Sequence, residues 1–482
     1  ATTGDDVQTS SMGMNVYGTG PTGYASMLDT IWETMDEAQA GVTNQTYATM
    51  ASSGLALTVN NNTINTKARF VCKVSEQDGS KIGQIGNGTF DYTLPGSDKV
   101  YEPWAVITLC EDYNEDGEVN YQDAAANYKN IRTEVFGEDE MKNNLMWIAY
   151  NSVSQVQEPF MRTLDLGKQV SNFTDGFGQM VMQKGYQAEG HDTQHGMYAY
   201  NVGERQGGVE ELRKVMELGE KYNIKFGIHV NVNEHHVESM NADVVRQPLS
   251  PGWGLWSQAY WVNQEKDVVS GNREKRLRML ADELPDLKFI YYDIYGNDGA
   301  PVWMGQSLAE VTNDMGMILG TEFNGPLEQQ AAFTHWGNDP DYPNVGNESK
   351  LMRYFKNDTD IFIGNALLNG NKMLNIATWQ AQNTDMVRGV ETFYNHVLPT
   401  KYLQHFDLLD YEDDYAKFTD GVKTERKGDV IELSKDGKKI ASWTWSYNSS
   451  NQEITGDAIL LIPWFDNDSK TKDPSDADKL YY

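Results

Sequence analysis

Cysteine is almost missing from this sequence of 482 residues, which holds two, Cys72 and Cys110. Two thiols make no disulfide framework, so the chain has to fold by burying apolar surface. Both lie in apolar runs, RFVCKV and AVITLC, a setting that suits buried free thiols. Basic residues are scarce too: 39 Lys and Arg stand against 70 Asp and Glu, a net charge of −31. That balance excludes nucleic acid as a partner, because a phosphate backbone needs a basic footprint, and it disfavours anionic lipid. No apolar run reaches the roughly 18–20 residues of a membrane span. The chain opens on ATTGDD, with neither Met nor a leader. We expect a piece of a longer bacterial protein, secreted or held at the cell surface, and monomeric.

What is present falls into three textures. Residues 1–100 are rich in Thr, Gly, Asn and Ser, with short alternating runs (LALTV, ARFVCKV, TFDYTL) that read as β-structure with many turns. One stretch there, YASMLDTIWETMDEAQA, reads as a helix. From about residue 101 to 406 short apolar runs alternate with amphipathic segments: WAVITLC, LMWIAYNS, GQMVMQKGY, KFGIHVNV, KFIYYDIY, GMILGTEF and DIFIGNAL. Between two of them, Val209, Leu212, Met216 and Tyr222 recur near the helical period. Repeated strand–helix–strand units predict an α/β fold, a (β/α)8 TIM barrel flanked by β-sandwich regions, with WAVITLC as its first strand. A doubly wound sheet is the competing architecture, but no glycine-rich phosphate loop follows the first strand. Residues 407–482 return to alternating strands, with a Lys435-Asp436-Gly437 turn, and read as a C-terminal β-sandwich.

In a barrel, reactive side chains gather at the C-terminal ends of strands. The runs place polar residues there: Glu189, His191, Asp192 and His195 after KGY; His229, Asn231 and Asn233 in HVNVN; Asp293 after FIYY; and Glu322 in TEFNG. An ionised carboxylate inside an apolar strand such as FIYYDIY is costly without a partner, so Asp293 is either paired or at a site. Asp293 and Glu322 end consecutive strands and can face each other. Two carboxyls at roughly 5–5.5 Å suit retaining glycoside hydrolysis, one attacking the anomeric carbon while the other protonates the leaving oxygen. Their proximity would keep one anionic and the other protonated. A structural acidic pair is the plain alternative.

Aromatic residues support the sugar reading. PGWGLWSQAYW puts Trp253, Trp256, Tyr260 and Trp261, with Gln258 among them, in a loop with little helical or strand pattern, and Trp336 and Trp379 fall in later barrel loops. Apolar sugar faces stack on such rings, and sugar hydroxyls pair with Asp, Asn, His and Gln. A separate motif, DYNEDGEVNYQD at 112–123, has calcium-loop spacing: Asp112, Asn114 and Asp116 at positions 1, 3 and 5, Gly117 at 6, the Glu118 carbonyl at 7 and Asp123 at 12. We expect a structural Ca2+ there, none being needed for the chemistry; an acidic surface turn is the alternative.

Taken together, these stretches resemble glycoside hydrolase family 101, the endo-α-N-acetylgalactosaminidases. The match runs over about 104–406 through DYNEDGEVNYQDAA, KGYQAEGHD, ERQGGVEEL, GIHVN, YDIYGN, TEFNG and TKYLQHF, in that order. The resemblance implies cleavage of the α-GalNAc–Ser/Thr linkage of mucin-type O-glycoproteins with release of Galβ1–3GalNAc and retention of configuration. It places Asp293 on the nucleophile, Glu322 on the acid/base, and His191, Asp192 and His229 on substrate contacts; the calcium loop falls on a family metal site. The chain departs from the pattern at Phe323 and Tyr295, where the family usually has Trp, and in the spacing of its Trp253 loop. Three alternatives stand beside this one. They are an exo-acting α-N-acetylgalactosaminidase of a related barrel family, a metal-dependent hydrolase using His191, Asp192, His229, His235 and His236, and a non-catalytic mucin-binding module.

Overall fold

The computed structural model describes residues 2–3, 8–14, 27–32, 42–52, 54–63, 70–87, 90–93, 98, 100–152, 155–295, 302–322, 327, 330–334, 350–361, 365–368, 373–374, 376, 384–444, 446–448, 453–455, 462–463 and 480–481. The chain opens with an antiparallel sheet of β1 (Thr2–Thr3), β2 (Gln8–Met14), β3 (Met27–Trp32), β4 (Val42–Ser52), β5 (Leu55–Asn61), β6 (Phe70–Gln77), β7 (Ser80–Asn87) and β8 (Ala105–Cys110). Two expectations fail here. Part of the stretch read as a helix is β3, paired antiparallel with β2 from Met14↔Met27 to Thr9↔Trp32. The run AVITLC is not a barrel strand, because β8 pairs antiparallel with β5, Ala56↔Cys110 through Asn61↔Ala105. Apolar side chains on both faces made β8 look like a buried parallel strand, yet Ile107 is 64% exposed and Leu109 59%.

The parallel sheet begins one run later. Its strands are β9 (Asn144–Tyr150), β10 (Gly178–Lys184), β11 (Ile224–Asn231), β14 (Phe289–Asp293), β15 (Ile318–Thr321) and β16 (Phe333–Thr334), adjacent in that order. A short antiparallel hairpin, β12 (Glu234–His236) with β13 (Ala259–Trp261), intervenes after β11. Isolated parallel bridges carry the curve past both ends: Phe333 pairs with Asp360, and Met146 with Met373. The result is a curled parallel half-barrel. Crossovers are helical, through α3 (Phe160–Phe173), α4 (Gly208–Gly219), α6 (Asn272–Glu283) and α7 (Val302–Asp314), with α1 (Tyr121–Tyr128), α2 (Glu138–Met141) and α5 (Gln264–Val269) as shorter pieces. In α3, Phe160, Thr163, Leu164, Gly167 and Val170 are buried, the stripe that a helix presents to a sheet. In α4 the buried positions are Gly208, Leu212, Val215, Met216 and Gly219, whereas Tyr222 has left the helix and is exposed.

Strand alternation sorts side chains into two cores. Outward residues such as Trp147, Val181, Ile290, Tyr292 and Leu319 pack beneath the helices. Inward residues, among them Met146, Ile148, Met180, Met182, Phe289, Tyr291, Ile318 and Phe333, fill the concave side. Glycine makes room for the large rings there: a Cβ at Gly227 would lie 2.2 Å from Phe289, and one at Gly320 would lie 2.0 Å from Phe333. Counting by two from these inward residues puts Lys184, His229, Asp293 and Glu322 on the inner side at the C-terminal rim.

The helical segment TKYLQHF packs at the end of the sheet where Phe333 bridges to Asp360. Lys401 and Asp360 form a buried ion pair at 2.7 Å, and Gln404 Nε2 donates to the second Asp360 oxygen at 2.8 Å. A C-terminal meander follows: β17 (Leu408–Tyr411), β18 (Tyr415–Phe418), β19 (Val422–Lys427), β20 (Val430–Lys435) and β21 (Lys438–Thr444). The expected turn joins β20 to β21, with Asp436 at φ 50° and Gly437 at φ 75°, the left-handed pair of a tight hairpin. Trp443 Nε1 donates to the Ala366 carbonyl at 2.8 Å, and one apolar core runs from Tyr47 to Trp443.

Candidate active site

Parallel register brings the expected acids together. Asn231 lies beside Asp293 and Tyr292 beside Thr321, so Glu322 comes level with Asp293 on the neighbouring strand. Both carboxyls are buried, each 8% exposed as a residue. They are near enough that the Asp293 charge acts directly on Glu322. Glu322 Oε2 also accepts from the Ile294 N–H at 2.9 Å, which fixes its orientation.

The surroundings separate the two electrostatically. Burial opposes ionisation of Asp293, but the His229 contact at 3.4 Å, the Lys184 cation and His191 outweigh it and hold Asp293 well below the ordinary carboxylate range. The Tyr291 hydroxyl donates to the same carboxylate at 3.3 Å. For Glu322, burial and the neighbouring Asp293 charge act in one direction and push it well above its ordinary value, with Lys184 opposing. The surroundings therefore favour the ionised form of Asp293 and the protonated form of Glu322.

A third carboxyl is near enough to feel the Asp293 charge. Asp192, at φ 60° in the loop after β10, accepts from His191 Nε2 at 3.2 Å through one oxygen and from His195 Nε2 at 3.1 Å through the other. His191 and Asp293 tie it to the first pair through His229, whose ring centroid is 4.7 Å from that of His191. Burial lowers His191 and His229 below the ordinary histidine value, which favours their neutral forms. His235 and His236 are lowered as well, to about 2 and about 4, first by burial. His191, Asp192 and His229 place three possible metal-ligating atoms within 4.8 Å of one another, the one such cluster among the described residues. Each of its histidines faces a carboxylate, His191 on Asp192 at 3.2 Å and His229 on Asp293 at 3.4 Å.

Asn231 and the tryptophan loop are linked. Asn231 Oδ1 accepts from the N–H groups of Asn233 and Glu234 at 2.8 and 3.1 Å, and its amide faces Glu234 Oε2 at 3.4 Å. Glu234 Oε1 in turn accepts from the Trp253 N–H at 2.8 Å. Gln258 donates to the Gly252 and Ala259 carbonyls at 3.1 and 2.7 Å, so its amide nitrogen holds the loop. Trp253 and Trp256 stay 54% and 49% exposed, which leaves their rings available. Trp336 and Trp379 lie outside the described residues. Sequence reasoning missed Lys184, Tyr291 and Glu234. The first two were discoverable by counting in twos from inward Met182 and from Asp293.

The 112–123 loop follows β8 and so joins the N-terminal sheet to α1, not a barrel strand to its helix. Asp112 accepts from the N–H groups of Asp116 and Gly117 at 3.0 and 2.9 Å, and Gly117 has φ 95°. Asp123 Oδ1 accepts from Tyr113 at 2.7 Å and Oδ2 from Asn120 at 2.7 Å, closing the loop as a capping box. The backbone has the turn that a calcium loop needs, while Asp123 spends much of its capacity on N–H groups.

A curled parallel sheet with two neighbouring carboxyls at adjacent strand ends is an arrangement that suits glycoside hydrolysis. Family models agree: residues 122–387 match "Endo-alpha-N-acetylgalactosaminidase", residues 396–482 a glycosyl hydrolase 101 β-sandwich domain, and residues 8–121 a galactose mutarotase-like fold domain. The chain belongs to glycoside hydrolase family 101, the endo-α-N-acetylgalactosaminidases. A Renibacterium salmoninarum protein assigned to that activity is 31% identical over 348 residues, 70% of this chain. The chain spans 23% of that relative's length. Among solved structures, the α-N-acetylgalactosaminidase NagBb of Bifidobacterium bifidum in its Gal-NHAc-DNJ complex superposes with TM-score 0.52 at 12% identity, covering 90% of this chain and 80% of that one. The family 36 α-galactosidase AgaB of Geobacillus stearothermophilus gives 0.51 at 10% identity, covering 92% and 67%. These two similarities concern the fold.

Proposed function

We propose that the chain is the catalytic part of a retaining endo-glycosidase that cleaves the α-GalNAc–Ser/Thr linkage of mucin-type O-glycoproteins and releases Galβ1–3GalNAc. The observation that carries this reading is the carboxyl pair at adjacent strand ends, in surroundings that hold Asp293 below and push Glu322 above the ordinary carboxylate range. Their direct interaction favours the short spacing of retaining enzymes over the about 6.5–9.5 Å that inverting enzymes need to hold a water.

Asp293 attacks the anomeric carbon as Glu322 gives its proton to the departing Ser or Thr oxygen, so an anion is traded for a neutral leaving group. Glu322, now ionised, then takes a proton from water as that water attacks the glycosyl–Asp293 ester, which restores both residues. Lys184 and His229 keep the nucleophile ionised; His191, Asp192 and the exposed Trp253 and Trp256 rings contact the sugars. The sheet is taken to close through the 360 and 373 segments into the eight-stranded barrel. Asp112, Asn114, Asp116 and the Glu118 carbonyl would hold Ca2+, with Asp123 bracing the loop. A mucin substrate fits a secreted or cell-surface bacterial enzyme.

The test is the product profile from two defined peptides, one carrying GalNAc and one Galβ1–3GalNAc. Release of intact disaccharide from the second, with the first left uncut, is the expected result. Release of GalNAc from the first alone would make the chain an exo-enzyme, and binding without product would make it a lectin-like module.

A further inference from the structure

We infer that a cleft on the face opposite the carboxyl pair is a second saccharide-binding site. A cavity of about 390 Å³ opens between the N-terminal sheet and the parallel sheet, within the size range of small-ligand sites. Trp104 and Phe136 flank it, 40% and 44% exposed, and the Tyr101 hydroxyl is held there by Glu310 at 2.9 and 3.0 Å. Exposed aromatic rings beside a cavity offer faces on which the apolar side of a ligand can stack.

The polar lining specifies the occupant. Asn313 Oδ1 and Gln330 Oε1 are buried atoms of the lining with no hydrogen-bond partner among the described residues. Buried amide oxygens normally have donors, so two here ask for O–H or N–H groups from a ligand. Among the described residues no Lys, Arg or His lines the cavity, while Glu134 and Glu310 do, which disfavours phosphate, sulfate and sialic acid. Aromatic faces, amide acceptors and acids without a cation make up the chemistry that recognises a neutral sugar: C–H faces stack and hydroxyls donate.

Position rules out an extension of the catalytic subsites. Gly137, next to Phe136, packs against Ile318, where a Cβ would fall 2.4 Å from its side chain. Ile318 begins β15 and Glu322 follows its end, so the cleft lies at the far end of that strand, roughly 13 Å away at about 3.3 Å per residue. Asn313 and Gln330, which precede β15 and β16, mark the same end. A glycan here is a different glycan from the one being cut. On a polymer carrying many chains, a second contact raises effective concentration at the first.

The experiment uses the full-length protein with Asp293→Asn. Calorimetry with a neutral Galβ1–3GalNAc glycopeptide should give two sites per chain, and Trp104→Ala or Asn313→Ala should remove one without changing the melting temperature. In the active parent, the same two substitutions should raise KM on desialylated mucin about three- to tenfold while leaving kcat/KM on a small aryl glycoside unchanged. One site per chain, including the case in which another segment of the longer protein fills the cleft, would overturn the inference. So would variants that bind and turn over mucin like the parent. Because calorimetry reads binding alone, loss of the proposed activity would leave this arm interpretable.

Discussion

Removing the acid while keeping the nucleophile is the perturbation that separates the two carboxyls most sharply. In Glu322→Ala the Ile294 N–H loses its partner, but Asp293 keeps His229, Tyr291 and Lys184. General-acid assistance is worth about 10²–10⁴ in rate, or roughly 3–5.5 kcal/mol of barrier. A Ser or Thr alkoxide needs all of that, so kcat/KM on an O-glycopeptide should fall by the full factor. A nitrophenolate departs unaided, so the first step on its glycoside should fall by less than about tenfold. Parallel assays of the two substrates read the difference. Azide should restore turnover and yield an α-glycosyl azide, because it attacks a glycosyl–Asp293 ester left intact by the substitution. Equal loss on both substrates, or a β-azide, would refute the assignment of Glu322.

Asp293→Ala should lose essentially all turnover with an unchanged circular dichroism spectrum; wild-type product release would falsify its role as nucleophile. In the pH profile of kcat/KM, activity needs Asp293 ionised and Glu322 protonated, and should be lost as pH rises through the elevated Glu322 value. Lys184 lowers both groups, so Lys184→Met should move both limbs to higher pH, and limbs that stay fixed or move down would contradict its place. Asp360→Ala strands the buried Lys401 ammonium and should cost about 3–5 kcal/mol in denaturant melts; a loss below about 1 kcal/mol would show that the pair is not structural. Calcium at about 100 times its dissociation constant should stabilise chelated protein by ~2.7 kcal/mol, and Asp112→Ala should show no such response.

The two carboxyls were readable from sequence because a charge that closes an apolar run is expensive to keep unless a partner or a reaction needs it, and FIYYD and ILGTE both end that way. Their order along the sheet was readable too, although each stands one strand earlier than the count from WAVITLC gave. That run misled because six apolar residues carry no mark of parallel or antiparallel pairing; only the partner β5 decides it. The segment around Met27–Trp32 misled for a related reason. Its helical spacing is a local preference, and pairing with β2 overrides it. Lys184 passed unnoticed since a lysine at a strand end is normally solvated, and only the concave side of the sheet turns it inward. TKYLQHF, read first as a mark of family, has a mechanical role through Lys401 and Gln404 on Asp360.

Proton NMR of the first sugar released from a Galβ1–3GalNAc glycopeptide, recorded before mutarotation, bears most directly on how the two acids work. The disaccharide should appear as its α-anomer and drift toward equilibrium. Initial release of the β-anomer would mean that water, not the residue at 293, attacks the anomeric carbon.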